Sequence, residues 1–259
     1  MSGGAAMLEV SALTKRFGGV KAVDDCSFSV AEGSVVGLIG PNGAGKSTTI
    51  DLVSGFSRAD SGSVRFAGAE VVNHAPHRIS RLGLIRTFQA PREWGSLTVQ
   101  DNVALGLRAL ARETILRNLF AARSVRRAER ADRLRVDEII EQFQLGGVRY
   151  DRASTLSGGQ KRLVEFARVA AAEPRLVILD EPMGGVNPVL GERMSEAIRQ
   201  FVVRGSTVVI VEHNMKFIEE TCDEVVVMDL GRVIAQGHYS SLRDDERVVA
   251  AYLGSVDGE

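Results

Sequence analysis

Cysteine is scarce in this chain: Cys26 and Cys222 are the only two, far apart and without metal-ligand spacing. Neither a disulfide framework nor a zinc site is indicated, and both read as reduced thiols packed like small apolar residues. Net charge is nearly absent too, at −1, which excludes the global electrostatic footprint of a nucleic-acid binder; no nucleic-acid partner is expected. Long apolar runs are missing, and the opening "MSGGAAMLEV" lacks a basic stretch followed by an apolar core. The expectation is therefore a cytosolic chain that cannot cross a membrane unaided. No internal repeat or low-complexity tract is present, and glycine and proline fall between elements as punctuation.

What is present is enough apolar material for a folded core. The 259 residues are 44% hydrophobic, which suits one large domain or a domain with a subdomain. From Leu8 to Val30 the pattern is short, β-rich and turn-punctuated, reading as antiparallel strands. "SVVGLIG" is a continuous apolar run of strand length, followed by a glycine loop and a helix-like "KSTTIDLVSGF". Residues 98 to 145 read as largely helical. Thr98 with Asp101 predicts a capping box, and Val136, Ile139, Ile140 and Phe143 fall at i, i+3, i+4 and i+7. Further on, "RLVILDEP", "STVVIVEH" and "EVVVMDL" are apolar runs separated by helix-length segments, the signature of buried parallel strands.

The segment "GPNGAGKST", residues 40 to 48, matches GxxxxGK[ST] in full and in a strand-to-helix setting. Its chemistry is phosphate binding: backbone N–H groups around Gly43 to Lys46 can wrap phosphates because glycine permits close approach and positive φ. Lys46 would reach the β- and γ-phosphates, and the Ser47 hydroxyl would ligate Mg²⁺. In "LVILDEP", an apolar strand delivers Asp180 to a sheet edge, where its carboxylate can hold Mg²⁺ through water, and Glu181 is the natural general base. Taken alone, that acid pair before Pro182 could be a helix cap; with the phosphate loop present, the two halves read as a P-loop NTPase.

A second glycine turn, "LSGGQKR" at 156 to 162, opens another helix. This stretch, upstream of the Asp-Glu pair, resembles the signature of the ATP-binding cassette (ABC) superfamily, and the resemblance runs from about Leu8 to the chain's end. It implies an α/β fold: a RecA-like P-loop NTPase core with an N-terminal antiparallel β-subdomain and an inserted α-helical subdomain. The expected single domain spans 7–254, with core 7–88 and 166–254 and helical subdomain 89–165. It also implies site roles, with ATP and Mg²⁺ as cofactors. Gly40, Asn42, Gly43, Gly45, Lys46, Ser47 and Thr48 would bind nucleotide. Phe17 would stack on adenine, although a lone Phe could equally pack a core. Gln89, in "RTFQ", would contact Mg²⁺ or the attacking water, and His213, in "VIVEH", the γ-phosphate, joining Glu181 as catalytic residues. Ser157 and Gly159 would face a nucleotide held by a second subunit, making the dimer head-to-tail. In "GGVN", Asn187 stands where much of the superfamily has Asp, so a charged role there is lost and a hydrogen bond across a subunit interface is expected instead. His74, His77 and His238 match no part of the family's pattern and read as surface or loop residues.

Within the superfamily, "RTFQ", the Arg-rich stretch and the ending "GRVIAQGHYSSLRDDERVVAAYLG" resemble the branched-chain amino acid (LivG-type) importer ATPases. That implies membrane permease subunits as partners, a second ABC subunit (the same or a different chain), indirectly a solute-binding protein, and a place on the cytoplasmic membrane face. Alternatives are a urea or amide importer, a lipopolysaccharide-export ATPase, or a soluble ATPase of iron–sulfur cluster assembly type. Between Arg108 and Arg135 stand nine arginines against three acids. They read as a solvated helical face or as a surface near anionic lipid or an acidic permease loop. Trp94 would line the permease-docking groove or pack the helical subdomain.

Overall fold

The computed structural model describes residues 6–87, 94–109, 122–184 and 188–253, with side chains at all of these but 108–109, 122–129, 188–190 and 253. Among them the chain forms two compact units: residues 6–87, 175–184 and 205–253 in one, and 94–109, 122–174 and 188–204 in the other.

The first unit holds two sheets. β1 (Ala6–Phe17) and β2 (Val20–Ala31) pair antiparallel, and β4 (Ser61–Phe66) and β5 (Ala69–Glu70) complete a sheet ordered β2-β1-β4-β5. In β2 the inward positions alternate, Cys26, Phe28 and Val30, as a strand with one wet face requires. The second sheet is ordered β10-β9-β3-β8-β7-β6. It comprises β3 (Val35–Ile39), β6 (Leu84–Arg86), β7 (Leu176–Asp180), β8 (Thr207–Val211), β9 (Glu224–Asp229) and β10 (Arg232–Gly237). Every residue of β3, β7 and β8 is buried, which is why they read as unbroken apolar runs. All neighbours pair parallel except β10, which runs antiparallel to β9. One core joins the sheets: Leu8, Phe28 and Phe66 cluster with Val36, Leu38, Ile50 and Leu52. The last two come from α1 (Lys46–Val53), and α2 (Pro76–Arg81) follows β5.

The second unit is helical: α3 (Val99–Ala109), α4 (Ala122–Gln142), α5 (Gly158–Ala171) and α6 (Pro188–Val203). The predicted stripe Val136, Ile139, Ile140 and Phe143 is buried. Phe201 of α6 meets Phe143 and Phe166 edge-to-face, centroids 6.1 and 5.8 Å apart, a favoured aromatic geometry. This packing moves the boundary. The division expected between residues 165 and 166 falls inside α5, and α6, placed with the core on sequence grounds, groups with the helices because its aromatic face is buried there. The capping box expected at Thr98 is half made: Thr98 Oγ1 accepts from the Asp101 N–H at 3.1 Å, but the Asp101 carboxylate takes the Thr98 hydroxyl at 2.6 Å.

The chain ends on α7 (Met215–Thr221), α8 (Tyr239–Leu242) and α9 (Glu246–Leu253) in the first unit. No helix among the described residues is long and apolar enough to span a membrane. Cys26 and Cys222 are free thiols, and burial pushes both up to about 12. His77 lies on α2, whereas His74 precedes that helix and His238 caps α8. Arg130 and Arg133 are exposed on α4 and Arg135 pairs with Glu173; Arg112 and Arg117, and the side chains of Arg108, Arg123, Arg126 and Arg127, lie outside the described residues.

Candidate functional site

β3 delivers the glycine loop at the C-terminal edge of its sheet. Gly40 sits at φ 148°, and a Cβ there would come within 2.1 Å of the Met228 carbonyl oxygen, so no side chain fits. Gly45 takes φ 94° as the residue capping α1, where a Cβ would meet the Ala22 carbonyl at 2.4 Å. The backbone is thereby committed to a tight glycine turn, closed by the Ala44 N–H donating to the Pro41 carbonyl at 3.2 Å, that leads into the N-terminus of α1, the kind of setting that attracts anions. Asn42, Gly43 and Ser47 are exposed along this turn, and Lys46 and Thr48 are half-buried. Lys46 Nζ donates to the Gly40 and Pro41 carbonyls at 2.6 and 2.9 Å. Burial pulls its ammonium below the ordinary lysine range, and the negative charge of Glu181 offsets part of that. The lysine thus folds over its own loop, with donors ready for a phosphate.

β8, beside β3, and β7, beyond it, end at the same edge. Leu38 of β3 pairs with Val211 of β8, and Val211 with Asp180 of β7, so one register line carries the loop, the β8 exit and the acid pair. Asp180 is buried, and its Oδ2 accepts from Arg86 Nη2 at 2.8 Å. Glu181 adopts φ 46°, a left-handed conformation that costs a non-glycine residue of order 1 kcal/mol and clusters at functional sites. Its N–H still donates to the Val211 carbonyl at 2.9 Å, which holds this turn at the strand end, where Glu181 is half-buried. His213 is exposed just past β8. Phe17 ends β1 with 54% of its surface exposed and Lys15 Nζ 5.4 Å from its ring centroid; this leaves an open aromatic face and sets aside the core-packing reading.

In the helical unit, Ser157 caps α5 in a complete capping box. Its Oγ accepts from the Gln160 N–H at 3.3 Å while Gln160 Oε1 accepts from the Ser157 N–H at 3.0 Å. Gly159 lies in the first turn of that helix. Ser157 and Gly159 belong to the second unit, and the residues gathered at the sheet edge belong to the first. Gln89 and Asn187 lie outside the described residues. Trp94 is 61% exposed, so it does not pack the helical core.

Two residues escaped the sequence reading. Arg86, in the "RTFQ" segment that gave Gln89 its role, has a side chain only 8% exposed and bridges Asp51 and Asp180. Glu212, one residue before the histidine singled out, is 1% exposed. It accepts from the backbone N–H groups of Met183 (3.0 Å), His213 (2.7 Å) and Asn214 (3.1 Å), fastening the segment after Glu181 to the turn carrying His213. A charged residue inside or ending an apolar run was the available signal in both cases.

The donors suit a nucleotide with a divalent cation. Among the described residues no cluster of three or more His, Cys, Asp or Glu is placed to hold a metal. One buried carboxylate and a hydroxyl beside an anion cradle fit Mg²⁺, which is held by few protein oxygens together with phosphates and water.

Comparison with known proteins agrees with the geometry. The ABC transporter family model matches residues 23–184. A probable branched-chain amino acid transport ATP-binding protein, LivG, of Archaeoglobus fulgidus is 38% identical over 98% of this chain and 97% of its own length. The lipopolysaccharide export system ATP-binding protein LptB of Haemophilus influenzae is 32% identical, covering 96% and 97% respectively. The crystal structure of a nucleotide-free ATP-binding cassette from an ABC transporter superposes with a TM-score of 0.81 at 32% identity, covering 96% of this chain and 99% of that one. With a glycine cradle and an acid pair at one sheet edge and a capped "LSGGQ" helix in the second unit, the chain belongs to the ABC transporter family, as its ATP-binding cassette and ATPase.

Proposed function

We propose that this cassette powers a membrane importer for branched-chain amino acids or related small polar solutes, working from the cytoplasmic face with permease subunits and, indirectly, a solute-binding protein. The observation that carries the catalytic part is the shared edge of β3, β8 and β7, which gathers Lys46, Ser47, Asp180, Glu181 and His213. Branched-chain amino acid transport ATP-binding proteins match at 30–38% identity, three of them above the 32% of LptB, which supports amino-acid import over lipopolysaccharide export.

In this reading the loop from Gly40 to Thr48, with Asn42, Gly43 and Gly45, wraps the ATP phosphates, and Phe17 offers its exposed ring to adenine. Lys46 leaves the Gly40 and Pro41 carbonyls for the β- and γ-phosphates. Ser47 and Asp180 hold Mg²⁺, with Gln89 as a further contact; when bound, the ion neutralises charge building on the phosphates. Glu181 takes the proton of the attacking water, and His213 contacts the γ-phosphate. Two cassettes, identical or different, join head-to-tail so that Ser157 and Gly159 of one close over the nucleotide of the other, the helix N-terminus favouring the anion. The exposed Trp94 supports a permease contact on the helical unit.

Glu181→Gln should retain ATP binding and slow hydrolysis by about 10²- to 10⁴-fold, the scale of a lost general base. Near-normal turnover by the purified variant defeats the assignment. Proteoliposomes carrying the native permeases and binding protein should accumulate leucine, isoleucine or valine when ATP is supplied to this cassette. Uptake confined to unrelated solutes rules out the amino-acid reading.

A further inference from the structure

Arg86 is held more tightly than the strand it ends requires. It closes β6, is 8% exposed at its side chain, and its guanidinium forks between two carboxylates. Nη1 donates to Asp51 Oδ1 at 2.5 Å and Nη2 to Asp180 Oδ2 at 2.8 Å. Nη1 also lies 3.4 Å from Ser54 Oγ, and the guanidinium sits 5.8 Å from the centre of the Phe56 ring. The planar fork matches this two-sided geometry, which the point charge of a lysine would not. The acids differ in setting. Asp180 is 10% exposed at its side chain, so its charge is costly unless compensated. Asp51, on α1 beyond Lys46 and Ser47, is 41% exposed, and water already solvates it in part.

We propose that Arg86 is a place-holding cation: it neutralises Asp180 while no metal is bound, competes with Mg²⁺ for that carboxylate, and keeps Asp51 as its partner when the metal takes over. The proposal rests on the reading of Asp180 as the metal-holding carboxylate. Two cations cannot share one buried carboxylate at full strength, so the guanidinium sets the threshold at which the divalent ion binds. Asp51 lowers that threshold by giving Arg86 somewhere to remain. A purely structural role, in which Arg86 only fixes the Asp180 rotamer, predicts the opposite sign: losing Arg86 would loosen the carboxylate and weaken metal binding. Arg86 is thus a positioning residue acting through Asp180.

The test is Mn²⁺ titration of the full-length, ADP-loaded protein, reading bound metal from the loss of the free-ion electron paramagnetic resonance signal. Asp180→Asn should abolish tight Mn²⁺ binding; if it does not, the metal assignment itself fails, whatever Arg86 does. With that arm in place, Arg86→Gln should tighten Mn²⁺ binding about three- to tenfold and Asp51→Asn should weaken it over the same range. Unchanged or weakened binding in Arg86→Gln overturns the proposal, as does tightening in Asp51→Asn. If Arg86→Gln fails to fold, Asp51→Asn decides alone: weakening supports competition, and unchanged binding refutes it.

Discussion

Replacing Glu212 tests how the turn behind the acid pair is held. The carboxylate is 1% exposed and accepts three backbone N–H groups, from Met183, His213 and Asn214. A hydrogen bond to a charged acceptor contributes about 1.5–3 kcal/mol, so three amount to roughly 4.5–9 kcal/mol before the cost of burying the carboxylate is subtracted. That desolvation is several kcal/mol per ion. The three donors are only partly buried, so water recovers some of the loss after truncation. Glu212→Ala should therefore cost about 3–5 kcal/mol, a large fraction of the ~5–15 kcal/mol that holds a typical domain folded. Glu212→Gln should cost less, about 2–3 kcal/mol: one amide oxygen can still serve His213 and Asn214, but the amide nitrogen then faces the Met183 N–H as donor against donor. Urea unfolding followed by far-UV circular dichroism gives both values from the shift in midpoint at constant slope. A loss below about 1 kcal/mol for the alanine variant, or a glutamine variant as stable as the parent, would refute the clamp.

Two further outcomes follow from the structure. Ser157→Ala removes half of the α5 capping box and should cost about 1 kcal/mol in urea; Ser157→Arg should in addition spare ATP binding by the monomer yet abolish ATP-driven dimers in sedimentation, and dimers that persist would remove Ser157 from the interface. Because burial raises the Cys26 and Cys222 thiols to about 12, the thiolate is scarce at pH 8, and Ellman's reagent should label the folded protein about a hundredfold or more slowly than the same protein in guanidinium; prompt labelling of either thiol would contradict that burial.

Much of this cassette was legible residue by residue. "VVGLI", "LVILD" and "TVVIV" read as buried parallel strands because each is apolar on both faces, and all three are fully covered. The phosphate loop and the start of α5 follow from glycine and serine chemistry acting over a few residues. Other readings needed more than local pattern. Thr98 and Asp101 have the spacing of a capping box, yet the aspartate took the threonine hydroxyl instead of its backbone N–H. The helical unit's boundary was set by Phe201 meeting Phe143 and Phe166, a contact between segments that no periodicity links.

The sequence by itself determined which apolar runs fold as buried strands, where the glycine loop turns and which acids end β7, since these depend on hydrophobic period, turn residues and neighbours in the chain. Only the tertiary structure decided which charges meet. Arg86 reaches Asp180 because β6 and β7 pair side by side although 94 residues separate the two partners, and Glu212 fastens Met183 because β8 lies next to β7. Strand order selects the partner of a buried charge, and strand order arises from packing the whole core rather than from any local run of residues.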